Sequence, residues 1–175
     1  MFPHLANKDP LAWPLRHAAI CLCDDLIEFA SPVSHEILPP MLAAVLDVLT
    51  TPGGEPTLRQ AAAYGAAVCA QHGGEGVTPH VPALIDGLVK SVTAAGARVG
   101  DAENATDNAV SALVRFALHR RDSPGVDADA LLSGVIAYLP LRADGVEARV
   151  VHGLVVEAVA TSESRGWAGG GAPRI

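Results

Sequence analysis

At 175 residues the chain is long enough for one domain or a short run of stacked repeats, and half its residues are hydrophobic, which excludes disorder as its main state. Its 31 alanines and 4% aromatic content favour closely packed helices over a β-sandwich. The net charge of −7 argues against a nucleic-acid binder and for a basic partner.

Helical periodicity begins after Pro10. Residues 13–30 carry Leu15, Ala18, Ala19, Leu22, Leu26 and Phe29 at spacings of three and four, and Ser31-Pro32 ends the pattern. A second helix is expected over 35–50, with Ile37, Leu38, Met41, Val45 and Leu49 on its apolar side. Pro39 and Pro40 place themselves in its first turn or mark a later start. A third helix spans 55–71 and is closed by Gly73-Gly74. A fourth over 79–97 is distorted by its prolines or begins at Pro82. The fifth, sixth and seventh are expected over 101–119, 127–139 and 144–161. The glycine-rich residues 163–175 show no periodicity and are expected to be disordered.

The helices repeat. Leu15-Arg16-His17-Ala18-Ala19 aligns with Leu58-Arg59-Gln60-Ala61-Ala62, 43 residues later. Two further offsets, of 47 and 41 residues, link this helix to the fifth and the fifth to the seventh. Amphipathic helices alone would also fit an irregular helical domain, but a two-helix period of 40–47 residues is the pattern of HEAT and armadillo solenoids. The expected architecture is therefore an all-α solenoid. It comprises the second helix of one repeat (13–30) and helical pairs over 35–72, 79–119 and 127–161. Arg16 and Arg59, at equivalent positions, are each expected to bridge to an acidic residue of the adjacent repeat. A solenoid without capping repeats exposes apolar faces at both ends.

Catalytic and membrane patterns are weak. His35-Glu36 opens a zinc-protease motif, but Pro39 stands where the second histidine belongs. Gly73-Gly74-Glu75-Gly76 lacks the Lys-Ser/Thr of a phosphate loop. Cys21, Cys23 and Cys69 have no metal-ligand spacing and read as reduced thiols. The chain is expected to be neither an enzyme nor a holder of any metal or cofactor, and to have no membrane segment or secretory leader.

Four collinear stretches carry a family resemblance. The segment from Leu58-Arg59-Gln60-Ala61-Ala62-Ala63-Tyr64-Gly65 through Gln71-His72-Gly73-Gly74 resembles a helix of importin-5-type karyopherin-β receptors. Cys21-Leu22-Cys23-Asp24-Asp25-Leu26-Ile27-Glu28, Glu103-Asn104-Ala105-Thr106-Asp107-Asn108, and Tyr138-Leu139-Pro140-Leu141 with Asp144 and Glu147 follow the same family's order. Importin-4-type receptors share a weaker version. The similarity runs over residues 11–162. Ala66 and Ala67 depart from the family's usual Leu and Gly, without harm to a helix. The resemblance implies a HEAT segment from the C-terminal portion of a longer receptor, as a fragment, partial gene product or truncated paralogue. It further implies binding of nuclear localisation signals on cargo, contact with nucleoporins and shuttling between cytoplasm and nucleus. Ran-GTP is bound chiefly by the family's N-terminal repeats, so the resemblance does not bring Ran binding to these residues. A HEAT scaffold unrelated to transport is the competing function.

In HEAT solenoids the second helices line the concave face. The candidate contact residues are therefore Asp24, Asp25 and Glu28 on the first such helix, Gln60, Tyr64 and Gln71 on the next, and Asn104, Asp107 and Asn108 on the third. Asp24 and Glu28 repel at i and i+4 unless a cation answers them. A cationic cargo segment, solvent or a neighbouring repeat would each serve. Tyr64 either stacks on a Lys or Arg stem or packs between repeats, and Asn104 either pairs with an extended peptide or caps its helix.

Overall fold

The computed structural model describes residues 2–30 and 34–164. The chain is an all-α helical-repeat solenoid, with no strand among the described residues. Its helices are α1 (Phe2–Leu5), α2 (Trp13–Phe29), α3 (Ser34–Thr50), α4 (Pro56–His72), α5 (Val81–Thr93), α6 (Ala102–His119), α7 (Ala128–Ile136) and α8 (Gly145–Ser164). No helix among them is long and apolar enough to cross a membrane.

Two layers result. Helices α2, α4, α6 and α8 lie side by side, each packed on the next, while α3 and α5 cover α2, α4 and α6 from behind and α7 packs on α6. The small-residue run of α4 makes it the centre. Ala61, Ala62, Ala63, Gly65, Ala66 and Ala67 are all buried, so α2, α3 and α6 approach its backbone closely. At Gly65 an added Cβ would lie 2.5 Å from Met41 Cε and 2.7 Å from Asp24 Oδ1, so any larger residue would force those side chains to shift. The larger core side chains, among them Ile20, Ile27, Leu42, Leu84 and Phe116, fill the space between layers. Each contributes about 1.5–3 kcal/mol relative to exposure.

Local differences from the sequence expectation have local causes. The short α1 lies before the first periodic segment and docks its buried Leu5 against α2 and α3. Helix α3 opens at Ser34, so Pro39 and Pro40 lie within it and forgo only hydrogen bonds to the carbonyls of residues 35 and 36. The expected helix over 79–97 divides into a 3-10 segment, Gly74–His80, and α5. Pro79 falls in the former and Pro82 in the first turn of α5, where its missing N–H costs nothing. Helix α8 continues through Ser164, past the expected start of the disordered tail; the rest of that tail, 165–175, lies outside the described residues.

Buried and half-buried arginines tie the layers. Arg16 donates to Leu5 O (3.0 Å) and Ala44 O (3.4 Å) and pairs with Asp47 at 2.8 Å, the inter-repeat bridge its sequence position predicts. Asp47 also pairs with Lys8; burial pushes its carboxyl up, but these two cations hold it below the usual range. Arg59 departs from the expectation, because it donates to Gly53 O (3.0 Å) and Ser91 Oγ (3.1 Å) rather than to a carboxylate. Arg120 donates to Ala70 O (2.7 Å) and Cys69 O (3.3 Å), satisfying terminal carbonyls of α4. The outer faces of the first and last long helices are apolar and exposed, with Leu15, Leu22 and Phe29 on α2 and Val146, Val150 and Val156 on α8.

Candidate binding groove

A groove of about 350 Å³ opens where the layer of α2, α4 and α6 meets the start of α8. His17, Cys21 and Asp24 enter from α2, and Gln60, Ala61 and Tyr64 from α4. Asn108 of α6 and the Asp144–Glu147 turn close the opposite wall. The helical spacing explains the α2 contribution, since positions 17, 21 and 24 lie on one stripe. His17 Nε2 lies 3.7 Å from Cys21 Sγ, and the His17 ring meets Trp13 edge-on at 6.4 Å.

Asp24 is the unusual member. It is 2% exposed, and its Oδ1 has no hydrogen-bond partner. Burial, reinforced by the neighbouring Asp25 and Glu28 carboxylates, pushes its carboxyl up to about 9. It is therefore protonated and neutral at neutral pH. The expected repulsion between Asp24 and Glu28 is relieved by a proton. Glu28 itself is half-buried and accepts from the Tyr64 hydroxyl at 3.2 Å. This bond joins α2 to α4, and burial together with Glu28 pushes the Tyr64 phenol up to about 12. Tyr64 thus packs between repeats and also lines the groove. Asp25 is exposed beside the same stripe. Gln60 is a lining residue, whereas Gln71 is exposed in the last turn of α4 and does not reach the groove.

The polar stripe of α6 is occupied from within the fold. Asp107 is fully buried; its Oδ2 accepts from the backbone N–H groups of Arg142 (2.9 Å), Ala143 (2.8 Å) and Asp144 (3.1 Å), and its Oδ1 pairs with Arg98. Asn108 donates to Asn104 O (3.0 Å) and Asp144 Oδ2 (3.0 Å). Arg115 donates to Ser111 Oγ (2.7 Å) and Glu147 Oε2 (3.0 Å), and Ser111 donates to the same glutamate. Asp107 and Asn108 therefore hold α8 against α6, and only Asn108 of the two lines the groove. Asn104 is half-buried in the first turn of α6, where Asp101 occupies the N-cap position, so the capping role is not the one it takes.

The sequence expectation omitted Asp144 and Glu147 from the groove. Asp144 Oδ1 accepts from Val146 N (3.1 Å) and Glu147 N (3.0 Å), capping α8. The Asp-x-x-Glu spacing is a capping-box signature, a signal from which this turn could have been found. Glu147 does not complete the box, because it reaches Ser111 and Arg115 instead. A second cavity, about 210 Å³ beside Arg59 and Ser91, lies away from these acidic groups and is lined largely by small residues. No group of three or more His, Cys, Asp or Glu side chains able to hold a metal occurs among the described residues.

The fold and groove thus define a helical-repeat protein with an acidic cleft on one layer. No protein-family model matches the chain. Among curated proteins it is similar to a probable importin-5 homolog of Dictyostelium discoideum, with 27% identity over 143 residues. The match covers 80% of this chain and 13% of that protein, so the chain spans a small part of its relative's length.

Proposed function

We propose that this chain is a segment of a nuclear import receptor and that its groove binds basic nuclear localisation signals of cargo proteins. The observation that carries this reading is the gathering of the Asp25, Glu28, Asp144 and Glu147 carboxylates, around the neutral Asp24, in and beside one groove on the α2–α4–α6–α8 layer. The likeness to an importin-5 homolog supports it. Binding is reversible and involves no covalent chemistry, metal or cofactor. Shuttling between cytoplasm and nucleus and contact with nucleoporins belong to the same reading; Ran-GTP binding is assigned to repeats outside this chain.

The test is titration of a fluorescent Lys/Arg-rich peptide into the full chain at low and physiological salt. Affinity should fall steeply as salt rises, because screening acts on charges in and near an open groove. Asp25→Lys combined with Glu28→Lys reverses exposed or half-buried charges without touching the buried Asp24. This variant should bind several-fold more weakly. Unchanged affinity would remove the α2 stripe from the binding surface.

A further inference from the structure

We propose that the cavity of about 210 Å³ beside Arg59 is a second binding site, which takes a single carboxylate group on the Arg59 guanidinium. The cavity shares no lining residue with the acidic groove, so the inference goes beyond the basic-partner reading and is tested independently of it.

Arg59 is a cation without a counter-charge. It stands on α4 at the position that Arg16 holds on α2, and Arg16 pairs with Asp47 at 2.8 Å. Arg59 instead donates to two neutral oxygens, Gly53 O (3.0 Å) and Ser91 Oγ (3.1 Å), and is half-buried. Among the described residues that line the cavity, it is the only charged side chain. The walls are otherwise small. Gly53 and Gly54 come from the turn before α4, Ala95 and Gly96 from the turn after α5, and Ala105 from α6. These residues leave room for a ligand group beside the guanidinium.

The donor set selects the ligand. A guanidinium has five N–H groups, so the two bonds within the chain leave three for a ligand. The hydroxyls of the wall are committed: Ser91 Oγ donates to Gly87 O (3.0 Å), and Thr106 Oγ1 bonds to Ala97 O and Ala102 O. The available side-chain donors are thus those of the arginine, whose planar fork matches a carboxylate. One cation answers one negative charge. A phosphate dianion would bring an unanswered second charge into a chain of net charge −7. The chain's own carboxylates nearest in sequence do not fill the role. Glu55, one turn before Arg59, accepts from Thr57 Oγ1 (3.3 Å). Asp86 pairs with Lys90 (2.6 Å), and Asp107 with Arg98. Asp101 and Glu103, at the start of α6, form no ion pair with Arg59, and none of these five lines the cavity.

The experiment follows the backbone amide shifts of the isotope-labelled full chain by NMR. The probes are the tripeptide Gly-Asp-Gly blocked at both ends, sodium acetate and inorganic phosphate, each at constant ionic strength against chloride. Saturable shifts at Gly53, Gly54, Ser91 and Gly96 are expected with the tripeptide, and none with blocked Gly-Asn-Gly. Tighter binding of the tripeptide than of acetate assigns the carboxylate to a partner chain; equal binding assigns it to a small free carboxylate. Arg59→Gln should weaken binding by about tenfold or more, through loss of charge-assisted hydrogen bonds. Ala95→Glu leaves Arg59 in place and sets a tethered carboxylate at the exposed rim, at an effective concentration on the order of mM. It should suppress the tripeptide shifts while Ala95→Gln does not, so the test stands even where Arg59→Gln fails to fold. Absence of saturable shifts at these amides, or unchanged tripeptide binding in Ala95→Glu, would overturn the inference. Tighter binding of phosphate than of the tripeptide would overturn the choice of a carboxylate. Neither result bears on binding of basic peptides in the acidic groove.

Discussion

The clearest structural test is removal of the Asp107 carboxylate. That side chain accepts three backbone N–H bonds from the 142–144 turn and pairs with Arg98 while fully buried. Hydrogen bonds to a charged group contribute about 1.5–3 kcal/mol each. The simple sum overshoots, because Arg142 and Ala143 are exposed and their N–H groups regain water once the acceptor is gone. Breaking a buried charge network by deleting one partner costs about 3–5 kcal/mol. Asp107→Ala should therefore lose about that much, a fall in Tm on the order of 10 °C for a chain of this size. Asp107→Asn keeps one oxygen for the turn but loses the ion pair, so it should cost about 1–3 kcal/mol. Urea unfolding of both variants measures the difference. Hydrogen exchange locates it: the amides of α8 should lose protection first, while α2–α4 keep theirs. A loss below about 1 kcal/mol in the alanine variant would refute the inference that this carboxylate fixes α8 on α6. Uniform loss of protection across all helices would refute it equally.

Two further outcomes follow from single sites. Gly65→Ala should destabilise by about 1–3 kcal/mol, because its Cβ meets Met41 and Asp24. Gly153→Ala in α8, with nothing within 4 Å, should stabilise by about 0.5–1 kcal/mol, and chemical denaturation reads both. Asp24 supplies a pH dependence of definite sign. Its folded value of about 9 lies above the ordinary one, so its stabilisation is complete below about pH 4 and is lost as pH rises towards 9. Wild-type stability should decline by roughly 1 kcal/mol per pH unit between about pH 5.5 and 7.5 relative to Asp24→Asn; parallel pH profiles would sink that assignment.

The helical architecture was legible in the sequence because it rests on local signals. Apolar spacing, Pro at helix starts and glycines at helix ends placed α2 through α8 closely, and the recurring offsets gave the repeat. Arg16 was also legible, since its partner Asp47 is an acidic residue of the adjoining helix. Arg59 occupies the equivalent position, yet Ser91 stands opposite it where no carboxylate is available. A period in sequence repeats the backbone environment without repeating the side chain that answers it.

The groove was half legible for the same kind of reason. A helical wheel shows which residues share a stripe, but not whether the next repeat covers it. On α2 and α4 the stripe remains partly open, so Asp25, Glu28, Gln60 and Tyr64 keep some contact with solvent. On α6 the turn before α8 folds back over the stripe, and Asp107, Asn108, Ser111 and Arg115 become internal. Their polarity, which in isolation marks a surface, here supplies the directional bonds that fix α8 in register. Between α2 and α4 the corresponding constraints are the Tyr64–Glu28 hydrogen bond and the close approach at Gly65. The acidic wall contributed by Asp144 and Glu147 therefore stands where the α6 network holds it, and the polar residues buried beneath the groove determine its shape as much as those that line it.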